Sequence, residues 1–591
     1  MIIMLKKGLF YLTHYGFRYT WHKFIQKIIK KLKSRKRKRH YKDVYTRKDL
    51  IRQKSEVFSK EVKISILVPL YNTPLKFLRE MIDSVVSQTY GNWELCLADG
   101  SDKNQDHIEK CVKQYISKDN RIRYKKLDSN LGISGNTNAC FQMSTGDYIG
   151  LLDHDDILHP AALYEVMKAI SESDADFIYT DEDTFRKKPT DAYCPHFKPD
   201  YSPDTLRSYN YICHFSVFKR SLYETAGGFR SEYDGSQDYD IILRLTERAR
   251  KIVHIPRILY YWRAHNNSVA LNLLSKPYVI DAAKRAISDH LSRQGLKGRV
   301  ADSSIPTTYK INYNICGMPK ISILIPNKDH SDDLKKCVNS IITKSTYKNY
   351  EIIIIENNST QKETFEYYKQ LESFDNVSVV TWDGKFNFSA IVNFGFSFSK
   401  GEHIVLLNND TEVITPNWME EMLMFSQRSD VGAVGCMLYY PDDTVQHAGV
   451  ILGIGGVAGH AHKHYKRGDS GYMSRLAIAQ NMSAVTAACL MIPRHVFERV
   501  GGFDENYEVA FNDVDFCMKI RNLGYLIVFT PYAELYHYES KSRGVEDTPE
   551  KRKRFENEVR LFQSKWKDKL EAGDPYYNVN LTLEREDFSL K

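Results

Sequence analysis

The sequence predicts an α/β protein made of two copies of one domain, each a mostly parallel sheet covered on both faces. Three observations carry this. Apolar strand patterns alternate with amphipathic stretches, as in ILVPL, then FLREMIDSVVSQ, then WELCLAD, between residues 66 and 99. That strand–helix–strand rhythm belongs to parallel sheets buried on both sides. SILVPLYN at 65–72 returns as SILIPNKD at 322–329, and TGDYIGLLDHDD at 145–156 returns as KGEHIVLLNNDT at 400–411. The later blocks keep the same order: AGGF 226–229 with VGGF 500–503, SQDYDIILRL 236–245 with FNDVDFCMKI 511–520, IVHIP 252–256 with IVFTP 527–531. Five blocks in one order identify a tandem duplication.

The copies set the organisation. Residues 1–60 form a basic N-terminal segment, 61–275 the first domain, 276–319 a helical and extended linker, 320–548 the second domain, and 549–591 a final helix and tail. Within the linker, Ile280, Ala283, Ile287 and Leu291 fall on one side of a helix over 277–295. A chain of 591 residues excludes a peptide hormone, a small disulfide scaffold and a one-domain binding module. With 12% aromatic and 27% charged residues the body is globular, not disordered. Ten cysteines without a C-x-x-C pair read as reduced thiols.

Charge separates the N-terminal segment from the rest. The net +9 divides into +14 over residues 1–50, where 16 Lys and Arg face 2 Asp and Glu, and −5 over the remaining 541. Trp21, Phe24, Ile25, Ile28, Ile29 and Leu32 share a helix face, with lysines on the others and Arg35–Arg39 following. This pattern suits a helix lying in the interface of an anionic membrane, through residues 1–45. The alternative is a helix docked on the body with a solvated tail. No groove-reading or base-stacking motif accompanies the basic run, so nucleic acid is not an expected partner. No apolar run is long enough to span a bilayer, and the start lacks the pattern of a secretory signal.

Ligands of such sheets bind at the carboxyl ends of the strands. There the first copy carries Asp153-His154-Asp155-Asp156, directly after the apolar run Tyr148–Leu152. Carboxylates at i and i+2 past a strand end can converge on one hard cation; a surface acidic turn is the alternative. Asp238 begins an apolar helical stretch, and His265 stands in YYWRAHNNS. Asp240 reads equally as a cap or an ion-pair residue. His460, His462 and His464 alternate beside a glycine-rich stretch. Period-two histidines can share a metal, but the loop lacks a fourth ligand, which leaves a flexible acceptor-side loop as the favoured reading.

The blocks NYICHFSVFKR, GSQDYD, LLNNDTEV, QHAGVILGIGGVAGHAH, SAVTAACLMI, FNDVDFC and PYAELYHYES resemble family 2 glycosyltransferases, specifically tandem enzymes of O-antigen and surface-polysaccharide assembly. The resemblance runs from residue 62 to the end and implies two GT-A (Rossmann-like, mostly parallel) domains. It places the nucleotide on Pro69, Tyr71, Asn72 and Asp99, with Ala98 standing for the first acid of the usual pair. It gives Asp153 and Asp155 to Mn²⁺ or Mg²⁺ against the donor diphosphate, Asp238 as general base, and His265 to the metal shell. In the second copy the corresponding residues are Pro326, Glu356, Asn357, Asn408, Asp410, Asp513 as base, and His537. Asn408-Asn409-Asp410 leaves one carboxylate where the first copy has two, so metal affinity is expected to be lower.

The resemblance therefore implies an inverting, metal-dependent transferase with two catalytic domains. It would use UDP- or dTDP-linked donors on a lipid-linked glycan at the cytoplasmic face of the membrane. One active domain beside a degenerate acceptor-binding one, a non-catalytic membrane-associated scaffold, and a nucleotidyltransferase are the alternatives. The last lacks its glycine-rich triphosphate loop.

Overall fold

A computed structural model describes residues 45–265, 277–539 and 548–591. The predicted membrane-binding helix and its basic cluster fall on residues before 45, outside the described residues. Among the described residues no helix is long and apolar enough to cross a membrane. The chain forms two compact units. Unit 1 runs to Tyr201 and resumes over Asn210–Gly295; unit 2 comprises Ser202–Tyr209 and Leu296–Lys591.

In unit 1 the strands are β1 (Ile64–Leu70), β2 (Trp93–Asp99), β3 (Ile122–Lys126), β4 (Tyr148–Leu151), β5 (Ile157–Leu158), β6 (Phe177–Phe185), β7 (Ser216–Lys219) and β8 (Ile252–Arg263). They form one sheet in the order β3-β2-β1-β4-β7-β6-β8-β5. β1 is parallel to β2 and β4, β2 to β3, and β6 to β8, while β7 and β5 run antiparallel to their neighbours. The apolar residues of β1 are buried, as its uninterrupted ILVPL pattern requires. Helix Leu75–Val86 buries Leu78, Met81, Ile82 and Val85, the three-and-four spacing of one helix face.

Unit 2 contains β9 (Gly298–Asp302), β10 (Tyr309–Tyr313), β11 (Ile321–Asn327), β12 (Tyr350–Glu356), β13 (Val377–Thr381), β14 (His403–Leu407), β15 (Thr411–Val413), β16 (Val431–Tyr439), β17 (Val445–His447), β18 (Val450–Leu452), β19 (Ala458–His460), β20 (Gln480–Asn481), β21 (Cys489–Pro493) and β22 (Leu526–His537). Its main sheet follows β13-β12-β11-β14-β21-β16-β22-β15, strand for strand the order of unit 1. β17 to β20 fall between β16 and β21; unit 1 has no strand between β6 and β7.

The duplication extends to buried polar groups. Ser65 Oγ donates to Glu94 at 2.6 Å and Lys63 pairs with the same carboxylate at 2.9 Å. Ser322 and Lys320 do the same to Glu351, at 2.5 and 2.8 Å. The glycines of the TGD and KGE blocks explain themselves here. A Cβ on Gly146 would sit 2.7 Å from Lys63 O, and one on Gly401 2.6 Å from Ser322 N. Only glycine lets the turn before β4 or β14 approach the neighbouring strand that closely.

Candidate active site

The loop after the first strand has the same build in each unit. Asn72 and Asp329 both adopt left-handed φ, 49° and 51°, a conformation that Asn and Asp tolerate better than other side-chain residues. Asn72 N–H donates to Ser101 Oγ at 2.8 Å, and Asp329 N–H to Ser359 Oγ at 2.8 Å. The Asn72 amide also donates to Asp102 at 2.7 Å, so this side chain ties two loops together. Tyr71 stands exposed above them.

Strand register corrects one expected correspondence. Leu70 pairs with Asp99, and Asn327 with Glu356. Gly100 N–H donates to Leu70 O and Asn357 N–H to Asn327 O. Asp99 is therefore the counterpart of Glu356, not of Asn357, and Ala98 matches Ile355. Asp99 is fully buried, accepting from Ser101 N, Tyr124 Oη and Lys126 Nζ at 2.8, 2.7 and 3.1 Å. Enclosure pushes this carboxyl up, but those bonds outweigh it and hold the group below its ordinary range. Glu356 accepts from Ser359 N–H and Oγ and from Tyr368 Oη at 2.5–2.6 Å. Both acids brace the loop after the second strand. Asn357, 2% exposed, lines the cavity of unit 2 and donates its amide to Trp382 O and Gly384 O, while its buried Oδ1 has no hydrogen-bond partner among the described residues.

Beyond β4, Asp155 Oδ2 lies 2.6 Å from His265 Nε2. Asp156 is spent on structure, accepting from Tyr260 Oη at 2.6 Å and Arg263 N–H at 2.7 Å, and so anchors the motif to β8. Asp238 stands in the first turn of helix Gln237–Thr246, where the positive end of the helix dipole favours an anion. Asp240 settles as an ion-pair residue, 2.5 Å from Arg230 and 2.6 Å from Arg244. Enclosure in the cleft and the nearby Asp238 and Asp155 charges push Asp153 well above the usual carboxylate range. Enclosure and Asp234 push Asp238 up to about 6. Carboxylates crowded in this way, with an imidazole beside them, fit a hard divalent cation. Among the described residues no three such groups already converge as a ligand set.

In unit 2 a cavity of about 590 Å³ gathers Pro326, Asn357, Asn408, Asp410, Asp513 and His537. That volume suits a ligand of nucleotide-sugar size. Glu356 is buried and is not among the lining residues. Asp513 occupies the first turn of helix Asn512–Asn522 and accepts Ala487 N–H at 3.1 Å. His537 Nε2 is 3.2 Å from Asp410, and its Nδ1 is 2.6 Å from Gln446 Oε1. Gln446 Nε2 donates to Glu539 at 3.0 Å, so Oε1 accepts and His537 Nδ1 carries the proton. Nε2 stands between the Asp410 carboxylate at 3.2 Å and the Asn408 side-chain amide at 3.1 Å.

Two histidines at different register positions meet the motif. Leu158 pairs with Tyr260 in unit 1 and Val413 with Leu535 in unit 2. His265 follows five residues after that pairing, His537 two.

Sequence reading missed Lys551 and Arg554, which also line the cavity. They belong to helix Pro549–Lys565, which opens on proline like helix Pro277–Arg293 of unit 1, where Val279 and Ala282 stand at the matching positions. The three alternating histidines separate. His460 faces His447, His462 stacks on Phe588 at 4.2 Å, and His464 stacks on Tyr440 at 5.2 Å.

Two α/β domains with one strand order, each carrying an acidic motif at a strand end and an aspartate at a helix start, define a tandem GT-A fold. The chain belongs to glycosyl transferase family 2, whose model matches residues 65–227 and again 322–501. Relatives include the uncharacterized protein y4gI of Sinorhizobium fredii, 45% identical over 89% of this chain and 58% of that protein. The O-antigen biosynthesis protein RfbC of Myxococcus xanthus is 37% identical over 90% of this chain and 41% of its own length. A chondroitin synthase of Escherichia coli is 27% identical over 42% of this chain and 36% of that enzyme. The chain thus spans about half the length of the first two relatives.

Proposed function

We propose that the chain transfers sugars from nucleotide-linked donors to a growing bacterial surface polysaccharide, with one site in each unit. The observation that carries this is the matched placement of Asp238 and Asp513, each in the first turn of a helix beside a strand-end acidic motif. Each aspartate takes the proton of an acceptor hydroxyl as its oxygen attacks the anomeric carbon, and the nucleoside diphosphate leaves from the opposite side with inversion. Pro326 and Asn357, which line the cavity at the strand ends, are the residues expected to hold the base of a UDP- or dTDP-linked donor. The relatives named for O-antigen and chondroitin synthesis support the polysaccharide assignment.

In unit 1, Asp153, Asp155 and His265 would hold Mn²⁺ or Mg²⁺, which when bound offsets the charge gathering on the leaving diphosphate. In unit 2, Lys551 and Arg554 supply positive charge beside a site with one carboxylate fewer, so donor binding there depends less on the cation. Residues 1–45 are the reading's link to an anionic membrane and a lipid-linked acceptor on its cytoplasmic face.

The test is a nucleotide-sugar panel with product masses read on a lipid-linked acceptor, for the wild type, Asp238→Asn and Asp513→Asn. Loss of one sugar addition in each variant is expected. Full activity in both would overturn the base assignments. A loss confined to one would leave a single working site beside an acceptor-binding unit.

A further inference from the structure

The cavity of unit 2 is lined by His460, which pairs with His447 behind it, and the described residues of unit 1 have no counterpart of this pair. His447 ends β17 and is fully buried; His460 ends β19, which pairs with β18 through Val450. The two rings meet edge to face at 84°, with Nδ1 to Nδ1 at 2.9 Å. Two imidazole nitrogens at that distance share one proton, so one ring donates and the other accepts.

The backbone settles which. Thr486 N–H donates to His447 Nε2 at 3.4 Å, making that nitrogen the acceptor. Burial and the neighbouring His460 and His537 hold the His447 ring neutral, so its single proton sits on Nδ1. His447 Nδ1–H therefore donates to His460 Nδ1. Burial likewise favours a neutral His460, among the charges of Asp513, Lys463, Glu539 and the His537 ring. Its own proton is left on Nε2, for which the described residues provide no hydrogen-bond partner, and His460 lines the same cavity as Asp513.

We infer that His460, locked by His447 as an Nε2–H donor, binds an oxygen of the acceptor sugar in unit 2 and selects the hydroxyl presented to Asp513. This rests on the proposed function of that site. An inverting displacement brings the acceptor in opposite the leaving diphosphate, so the base marks the acceptor side. Pro326, Asn357, Asn408 and His537 line the donor side, and His460 enters from the β18–β19 hairpin instead. The hairpin belongs to unit 2 alone, which gives the second site a selectivity device the first lacks.

The experiment uses the full chain carrying Asp238→Asn, so that only the second site turns over, with p-nitrophenyl glycosides as acceptors. His460→Leu is expected to raise the acceptor KM about tenfold, the effect of losing one buried hydrogen bond, with the donor KM unchanged. His460→Gln, which keeps an N–H, should recover most of the loss. His447→Leu should raise the acceptor KM less, because His460 can then exchange tautomers. Thermal unfolding of each variant separates a local effect from misfolding, and the Leu–Gln comparison at equal stability carries the test. An unchanged acceptor KM in His460→Leu, or a donor KM that rises with it, overturns the inference. Turnover that survives Asp513→Asn overturns the base assignment of the proposed function instead.

Discussion

Asp155 and His265 lie 110 positions apart in sequence and meet at 2.6 Å. The contact joins the strand-end motif to the segment after β8, so removing either partner disturbs the same corner of the cleft.

His265→Ala is expected to weaken first-site affinity for Mn²⁺ by about 10–100-fold, the usual cost of altering a metal ligand or its support. Mn²⁺ titration followed by electron paramagnetic resonance, with Asp410→Ala present to remove the carboxylate ligand of the second site, measures this. An unaltered Mn²⁺ isotherm would remove His265 from the metal shell.

Transfer by the first site should depend on pH through Asp238, whose carboxyl is pushed up to about 6 by enclosure and Asp234. The base must be ionised, so at limiting Mn²⁺ kcat/KM should rise as pH increases through about 6. A raised carboxyl pKa means the folded state binds the proton more tightly than the unfolded chain does. Unit 1 should therefore gain stability as pH falls from about 6 towards the ordinary 3.8, and lose it in the reverse direction. Adding Mn²⁺ should move the kinetic inflection lower, because a cation near the cluster favours the charged form. A pH profile flat across this range would contradict the assignment.

Replacing Lys551 and Arg554 together by alanine should raise the donor KM of the second site about tenfold or more, since each charge-assisted contact contributes roughly 1.5–3 kcal/mol. The first site should keep its donor KM. Initial rates in the Asp238→Asn background read the change, and an unaltered donor KM would assign these side chains to another role.

Within unit 2, Asp204 lies 2.5 Å from Arg428 and accepts the Asn481 amide at 2.8 Å, all three side chains being buried. Burial alone would raise the Asp204 carboxyl, but Arg428 and Arg207 bring it down to about 2. Asp204→Ala should destabilise unit 2 by about 1.5–3 kcal/mol, because it removes charge-assisted hydrogen bonds while Asp430 stays paired with Arg428 at 2.7 Å. Denaturant unfolding checks this, and a loss below 1 kcal/mol would be too small for a buried pair.

Much of this was legible in the sequence. The repeated blocks are strand ends and helix starts, where side-chain identity is set by close backbone approach or by the site. Gly146 and Gly401 show the first case, Asp238 and Asp513 the second. The match of Asp99 with Glu356 was also legible, since the spacing from 65–72 to 322–329 carries Asp99 to position 356, and the strand register agrees with that count. His447 and His460 are separated by a hairpin, and Lys551 and Arg554 read as an ordinary basic helix turn. Their meaning depends on what they face. The basic amphipathic start lies outside the described residues and stays an expectation from the sequence.

The assignment of Ser202–Tyr209 to unit 2 has a practical meaning for dissecting the chain. Excising residues 296–591 as a free fragment would leave Arg428 and Asn481 without Asp204, and an inactive fragment would say nothing about the second site in the intact chain. The two activities are better separated by point substitution than by truncation, and a swap between related tandem enzymes should carry this octapeptide with the C-terminal half.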